Sequence, residues 1–244
     1  MPKKTPKIVK EVWNSSIQED RAKNKHISYS QLSIFATCQK QWADRYIKGL
    51  APYTPSIHTV FGSAFHETMQ SWLEVLYHGK VKDADEMDVD SLLYENMIKE
   101  YQSSKKQNGG EHLSTLEELQ MFWLDGKHIF EFLKKKRRAY FTTKGVYLAG
   151  IETLLYQELR PGVMFKGFID LVFYDERVDE WTIVDIKTST KGWNKWAKAD
   201  DKKKAQLLLY KEFFSKQFNI PLDKIKVEYF IVKRRVPKDA EFAA

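Results

Sequence analysis

Near Lys144 the texture of the chain changes, and that change restricts the fold more than any other feature. Before it, apolar residues recur at three- and four-residue steps, the period of helices packed on one face. Leu32, Phe35, Ala36, Trp42 and Tyr46 suit one helix, with Ser28 or Ser30 as its cap. A second helix is predicted from near Val60 through His66, Met69, Leu73 and Leu76, ending before Gly79. Residues 49–55, rich in Gly and Pro, read as the loop between them. Residues 80–140 read as a helical insertion, with one helix through Leu92, Leu93, Met97 and Tyr101, a turn at 103–111, and a further helix through Leu116, Phe122 and Phe132. After Lys144, three runs rich in β-branched and aromatic residues, 146–158, 163–174 and 181–187, read as strands. A helix over 203–218 and a strand over 226–233 follow. The order helix, strand, strand, strand, helix, strand predicts an α/β fold: a central mixed sheet with helices on its faces.

The chain has 244 residues, 43% of them hydrophobic and 14% aromatic, enough for a sizeable core without disulfides. Cys38 is the single cysteine. It excludes an internal disulfide and a four-cysteine zinc or iron–sulfur site, and it is expected as a buried or half-buried thiol rather than a nucleophile. No run of about 18 apolar residues is present, which predicts a protein of the cytoplasm rather than of a membrane. Forty Lys and Arg against 33 Asp and Glu give a net charge of +7, a moderate bias that permits a polyanionic partner without requiring one. Residues 1–26, Lys-rich and with little periodicity, read as a basic arm: either a frayed tail or a segment that follows a phosphate backbone. The basic run from Lys134 to Arg138 suits nucleic acid, but it equally offsets a helix macrodipole.

The chemistry concentrates in the strand region. Asp185 and Lys187 stand two apart in the apolar run Trp181-Thr182-Ile183-Val184-Asp185-Ile186-Lys187-Thr188, so they share a face. Charges in an interior strand are costly unless they have partners or a task; an inter-strand salt bridge is the plain alternative. Asp170 closes Gly167-Phe168-Ile169-Asp170 on the preceding strand, and neighbouring strands lie about 5 Å apart. Two carboxylates there suit Mg²⁺ or Mn²⁺, with several waters left for a phosphate substrate. Lys187 beside them is placed to stabilise developing charge or orient water, as in metal-assisted phosphodiester hydrolysis. His66 follows the small residues Gly62, Ser63 and Ala64, which would let its helix approach the sheet closely. Gln206 and Tyr210, four apart, share one helix face and could hold the lysine or a DNA phosphate.

Four stretches in order resemble the PD-(D/E)XK nuclease superfamily in its RecB-like exonuclease branch: Ser28-Tyr29-Ser30-Gln31-Leu32 followed by Cys38 and Trp42; Gly62-Ser63-Ala64-Phe65-His66-Glu67; Gly167-Phe168-Ile169-Asp170 with Asp185-Ile186-Lys187-Thr188; and Gln206-Leu207-Leu208-Leu209-Tyr210. The resemblance implies a restriction-endonuclease-like αβββαβ core over residues 27–244. It implies His66, Asp170, Asp185 and the backbone carbonyl of Ile186 as metal ligands, Lys187 as the catalytic lysine, and Gln206 and Tyr210 as the helix pair of that branch. Glu152 matches a glutamate on the preceding strand. AddB-type and CRISPR-associated relatives hold an iron–sulfur cluster on four cysteines; Cys38 stands where the first would be and no others exist, so no cluster is expected. Ile169 replaces the nominal proline.

The resulting expectation is a Mg²⁺- or Mn²⁺-dependent DNA exonuclease that processes ends for recombination, repair or replication. It resembles stand-alone enzymes of phages, with a recombinase or single-strand-binding protein as a candidate partner. Lys191, Trp193 and Lys195, with Trp196 and Lys198 beside them, would contact the strand near the scissile phosphate; the tryptophans read equally as core anchors. The alternative is a nucleic-acid-binding or recombination-assembly protein that kept the fold without turnover.

Overall fold

The β-rich half of the sequence forms a mixed sheet in the computed structural model, which describes residues 4–16, 26–50, 54 and 56–234. In chain order the elements begin with α1 (Lys7–Ser16), β1 (His26–Ile27), α2 (Tyr29–Thr37) and α3 (Gln39–Trp42), followed by a π-helical turn over Ala43–Ile47. Then come α4 (Ile57–His78), α5 (Val81–Glu86), α6 (Val89–Gln107), α7 (Leu116–Lys135) and α8 (Arg137–Tyr140). The last part holds β2 (Val146–Arg160), β3 (Val163–Asp175), β4 (Glu180–Ser189), α9 (Lys195–Ala199), α10 (Asp201–Phe218) and β5 (Ile225–Lys233). Contacts divide the chain into two units: residues 1–52, 145–185 and 194–229, and residues 53–144, 186–193 and 230–244.

Among the described residues the sheet runs β1-β3-β4-β5, with β2 on the other edge of β3. β2 and β4 are antiparallel to β3 and β1 is parallel to it. Pro161 and Gly162 fill the two-residue turn between β2 and β3; Gly162 has φ 76°, which glycine adopts without a Cβ penalty. In the first unit the core is aromatic. Phe165 packs on Phe213 with ring centres 4.6 Å apart, and Trp181 meets Phe214 at 5.7 Å. Asp200 caps α10 by accepting from the Lys202 N–H, and Asn219 ends it in the left-handed conformation.

Three expectations fail in this unit. Residues 7–16 are not a frayed arm. They form α1, whose Val9 and Val12 are fully buried in the core that also holds Ala149 and Leu155, and Ser16 Oγ lies 2.9 Å from Thr153 Oγ1. Each buried valine contributes about 1.5–3 kcal/mol, while Lys10 and Glu11 between them stay exposed. The remainder of the predicted arm, 1–3 and 17–25, lies outside the described residues. The single helix expected through residues 32–46 breaks at Cys38, which is extended (φ −157°, ψ 105°) and belongs to neither helix. Its N–H donates to the Ile34 carbonyl while its Sγ accepts from the Gln41 N–H at 3.4 Å, so one residue caps both α2 and α3. The thiol is exposed, not buried. Ser28 caps α2 as the sequence suggests, accepting from the Gln31 N–H. Of the loop predicted at 49–55, residues 51–53 and 55 lie outside the described residues.

The second unit is built on α4, capped by Ser56 and followed by Gly79. Its Phe65, Met69, Trp72 and Leu73 have no exposed surface. Phe65 stacks on Phe130 of α7 at 4.7 Å. Asn96 of α6 donates to the Thr68 hydroxyl, which donates in turn to the Ala64 carbonyl, so this buried polar pair is satisfied. Thr115 and Glu118 form a capping box at the start of α7. α6 continues to Gln107, so the turn predicted from 103 begins only at Asn108. The basic run after α7 is partly structural. Lys134 donates to the carbonyls of Asp85 and Met87, and Arg137 binds Asp85 through two nitrogens at 2.9 Å. Lys135 and Arg138 remain exposed.

Candidate active site

Sheet register assembles the acidic residues. Leu171 pairs with Val184, so the next step along the same register sets Asp170 across from Asp185. On the other side of β3, Ile151 pairs with Leu171 and Thr153 with Ile169, which sets Glu152 across from Asp170. Directly opposed residues of antiparallel strands share a face. Three carboxylates from three strands thus form a row in the first unit. Glu152 is also strained: its φ of 47° is left-handed, in mid-strand and without glycine's freedom.

α10 lies over this row. Gln206 Nε2 donates to Asp185 Oδ1 at 3.0 Å and to the Tyr210 hydroxyl at 3.3 Å, spending both amide hydrogens. The partner of Gln206 is therefore the aspartate, not a lysine. Asp185 is 3% exposed. Tyr210 is buried, and burial pushes its hydroxyl up to about 12; the Gln206 hydrogen bond opposes this, while Asp185, Asp170 and Glu152 add to it. All three carboxylates therefore act on one point. Burial also holds the Tyr229 hydroxyl well above its ordinary value, with Asp185 as the next cause. That hydroxyl donates to the Lys203 carbonyl. Gly167 keeps α10 close, since a Cβ there would stand 3.0 Å from the Tyr210 ring.

His66, Ile186 and Lys187 belong to the second unit. A Cβ on Gly62 would stand 3.2 Å from Thr188 Oγ1, so the helix carrying His66 passes close to the end of β4, as the run of small residues suggests. Burial first and the nearby Lys187 ammonium second lower the His66 pKa to about 4, against a hydrogen bond to the Ile186 carbonyl that raises it. The imidazole is thus neutral at pH 7, the form that ligates metals. Asp185 of the first unit and Ile186 of the second are consecutive residues of β4.

Among the described residues no three His, Cys, Asp or Glu side chains stand close enough together to hold one ion. The donor chemistry nonetheless fits a hard cation. The acidic row offers only oxygen, and Mg²⁺ takes one or two carboxylates and keeps its waters. Of the supporting residues, Lys191 and Lys195 are exposed and Trp193 is half-buried. Trp196 is 81% exposed, which excludes it as a core anchor. No helix among the described residues is long and apolar enough to cross a membrane.

The sequence alone did not show the strain at Glu152 or the double role of Gln206. A glutamate in a strand reads as ordinary surface, and only the pairing of Ile151 and Thr153 places it across from Asp170. A family model described as the PD-(D/E)XK nuclease superfamily matches residues 26–244. No curated protein matches the chain.

Proposed function

The chain belongs to the PD-(D/E)XK nuclease superfamily, and on that premise we propose that it is a divalent-metal-dependent DNA exonuclease that processes ends for recombination, repair or replication. The observation that carries this reading is the row Glu152, Asp170 and Asp185, concentrated by register beneath Gln206 and Tyr210. Asp170 and Asp185 would hold Mg²⁺ or Mn²⁺; in the second unit His66 offers a neutral nitrogen. When bound, such a cation lowers the pKa of water and offsets phosphate charge. Gln206 fixes one oxygen of Asp185 and so restricts how that carboxylate turns. The hydrogen bond from His66 to the Ile186 carbonyl fixes the ring's orientation, the support that metal-binding histidines commonly receive. Lys187 presents an ammonium to the charge that develops on the phosphate as the new bond to oxygen forms. Exposed Lys191, Lys195 and Trp196 suit contact with a strand.

A second reading, a binding or assembly protein without turnover, is favoured by the lack of a closed three-residue ligand set among the described residues. Labelled single- and double-stranded DNA incubated with Mg²⁺, Mn²⁺ or EDTA separates the two. The enzyme cuts with metal and is silent in EDTA. The binding protein retains DNA in a salt-sensitive, metal-independent way and releases no products.

A further inference from the structure

The segment from Tyr29 to Ile47 combines apolar sequence with a lack of burial. α2, α3 and the π-helical turn contain no buried residue. Phe35 is 43% exposed and Tyr46 37%, and Phe35 packs edge-on against half-buried Trp42 at 5.3 Å. Helices of a folded unit normally bury an apolar stripe; here the rings stand at the surface. Cations are interleaved with them. Lys40 is exposed, and Arg45 lies over the Tyr46 ring at 5.7 Å. The segment holds two cations, Lys40 and Arg45, and one carboxylate, Asp44, which pairs with Lys48 just beyond it at 2.9 Å. The segment is also anchored beside the acidic row. Lys202 Nζ donates to Thr37 Oγ1 at 3.0 Å, and the Tyr29 hydroxyl donates to the Lys202 carbonyl. Lys202 lies one helical turn before Gln206, which holds Asp185. The π-helical turn fits a working surface, since such turns occur often at functional sites.

We propose that this face is a stacking platform for a single strand of nucleic acid, with bases on Phe35 and Tyr46 and phosphates at Lys40 and Arg45, so that the strand is held as it leads to the acidic row. The interleaved cations and the tether to α10 favour a polyanion with exposed ring faces. The proposal rests on the nuclease reading for its purpose but not for its test.

The test is the affinity of the full chain for a fluorescein-labelled oligothymidylate of about 16 nucleotides, read by anisotropy in EDTA, where no cleavage can occur. Phe35→Ala and Tyr46→Ala are each expected to weaken binding on the order of tenfold. Phe35→Tyr and Tyr46→Phe, which keep a ring, should restore it. Melting temperatures of all variants control for folding, and both positions are exposed enough for the alanines to fold. Affinity for a blunt duplex should change far less. Unchanged single-strand affinity in both alanine variants overturns the platform. Unchanged affinity together with a shift in sedimentation also overturns it, and assigns the face to a protein partner. Failure of the nuclease reading would appear separately, as a parent chain that binds the oligonucleotide normally and cuts nothing in Mg²⁺ or Mn²⁺.

Discussion

The two groups of candidate site residues are built by opposite means. In the first unit, register gathers charge: Glu152, Asp170 and Asp185 line up across β2, β3 and β4, and their field adds to the burial that raises Tyr210. In the second, burial removes charge: His66 stays neutral to about pH 4, with the Lys187 ammonium reinforcing the effect. One group is thus prepared to attract a cation, the other to offer a neutral donor and a single positive charge. The contrast shows why β4 matters. Asp185 ends one unit's share of the strand and Ile186 begins the other's.

Neither group is expected to be dispensable. Lys187→Ala and Asp185→Asn are each expected to lower cleavage by about a hundredfold or more, the cost of removing one pre-positioned electrostatic group. Mn²⁺ binding by calorimetry should separate them: Asp185→Asn loses affinity, whereas Lys187→Ala keeps it. A Lys187→Ala chain that binds no Mn²⁺ would show that the second group is no separate device.

The support beneath the acidic row is tested by Val12→Asp, which places a charge where no surface is exposed. A loss of about 3–5 kcal/mol in denaturant unfolding is expected. Leu116→Asp, at a position 67% exposed, should fall within about 0.5 kcal/mol of the parent. Equal effects would mean that α1 is not part of the core.

The pH dependence sharpens the second group. The unfolded chain protonates His66 near 6.5, while burial delays protonation in the folded chain to about 4. Between these values the unfolded state carries more proton, so stability falls as pH drops from 6.5 toward 4 and this contribution is flat above 6.5. His66→Gln should flatten that limb of the melting-temperature profile; an unaltered slope would remove burial as the cause. Gln206→Leu is expected to be milder, weakening Mn²⁺ binding by about tenfold or less through the loss of one charge-assisted hydrogen bond. Smallest of all, Cys38→Ser should shift unfolding by less than about 0.5 kcal/mol, because a hydroxyl also caps α3.

Much of the first unit was legible in the sequence because strands carry their pattern locally. The β-branched and aromatic runs 146–158, 163–174 and 181–187 give β2, β3 and β4 to within two residues at each end. The facing of Asp170 and Asp185 follows once two neighbouring strands are recognised. What escaped depends on distant partners or backbone state. α1 hid because Lys7 and Lys10 interrupt Ile8, Val9 and Val12, and only the packing partners Ala149 and Leu155 reveal a buried stripe. The break at Cys38 has no Gly or Pro to announce it. The exposure of Phe35 was hidden for the opposite reason: helical spacing of apolar residues implies a buried face, and here, among the described residues, no element covers it.

The most direct test of the account is a crystal grown with Mn²⁺ and measured for anomalous scattering. One strong peak at Asp170 and Asp185 is expected. A peak away from Asp170 and Asp185, or none at saturating Mn²⁺ in a protein that still cuts DNA, would contradict it.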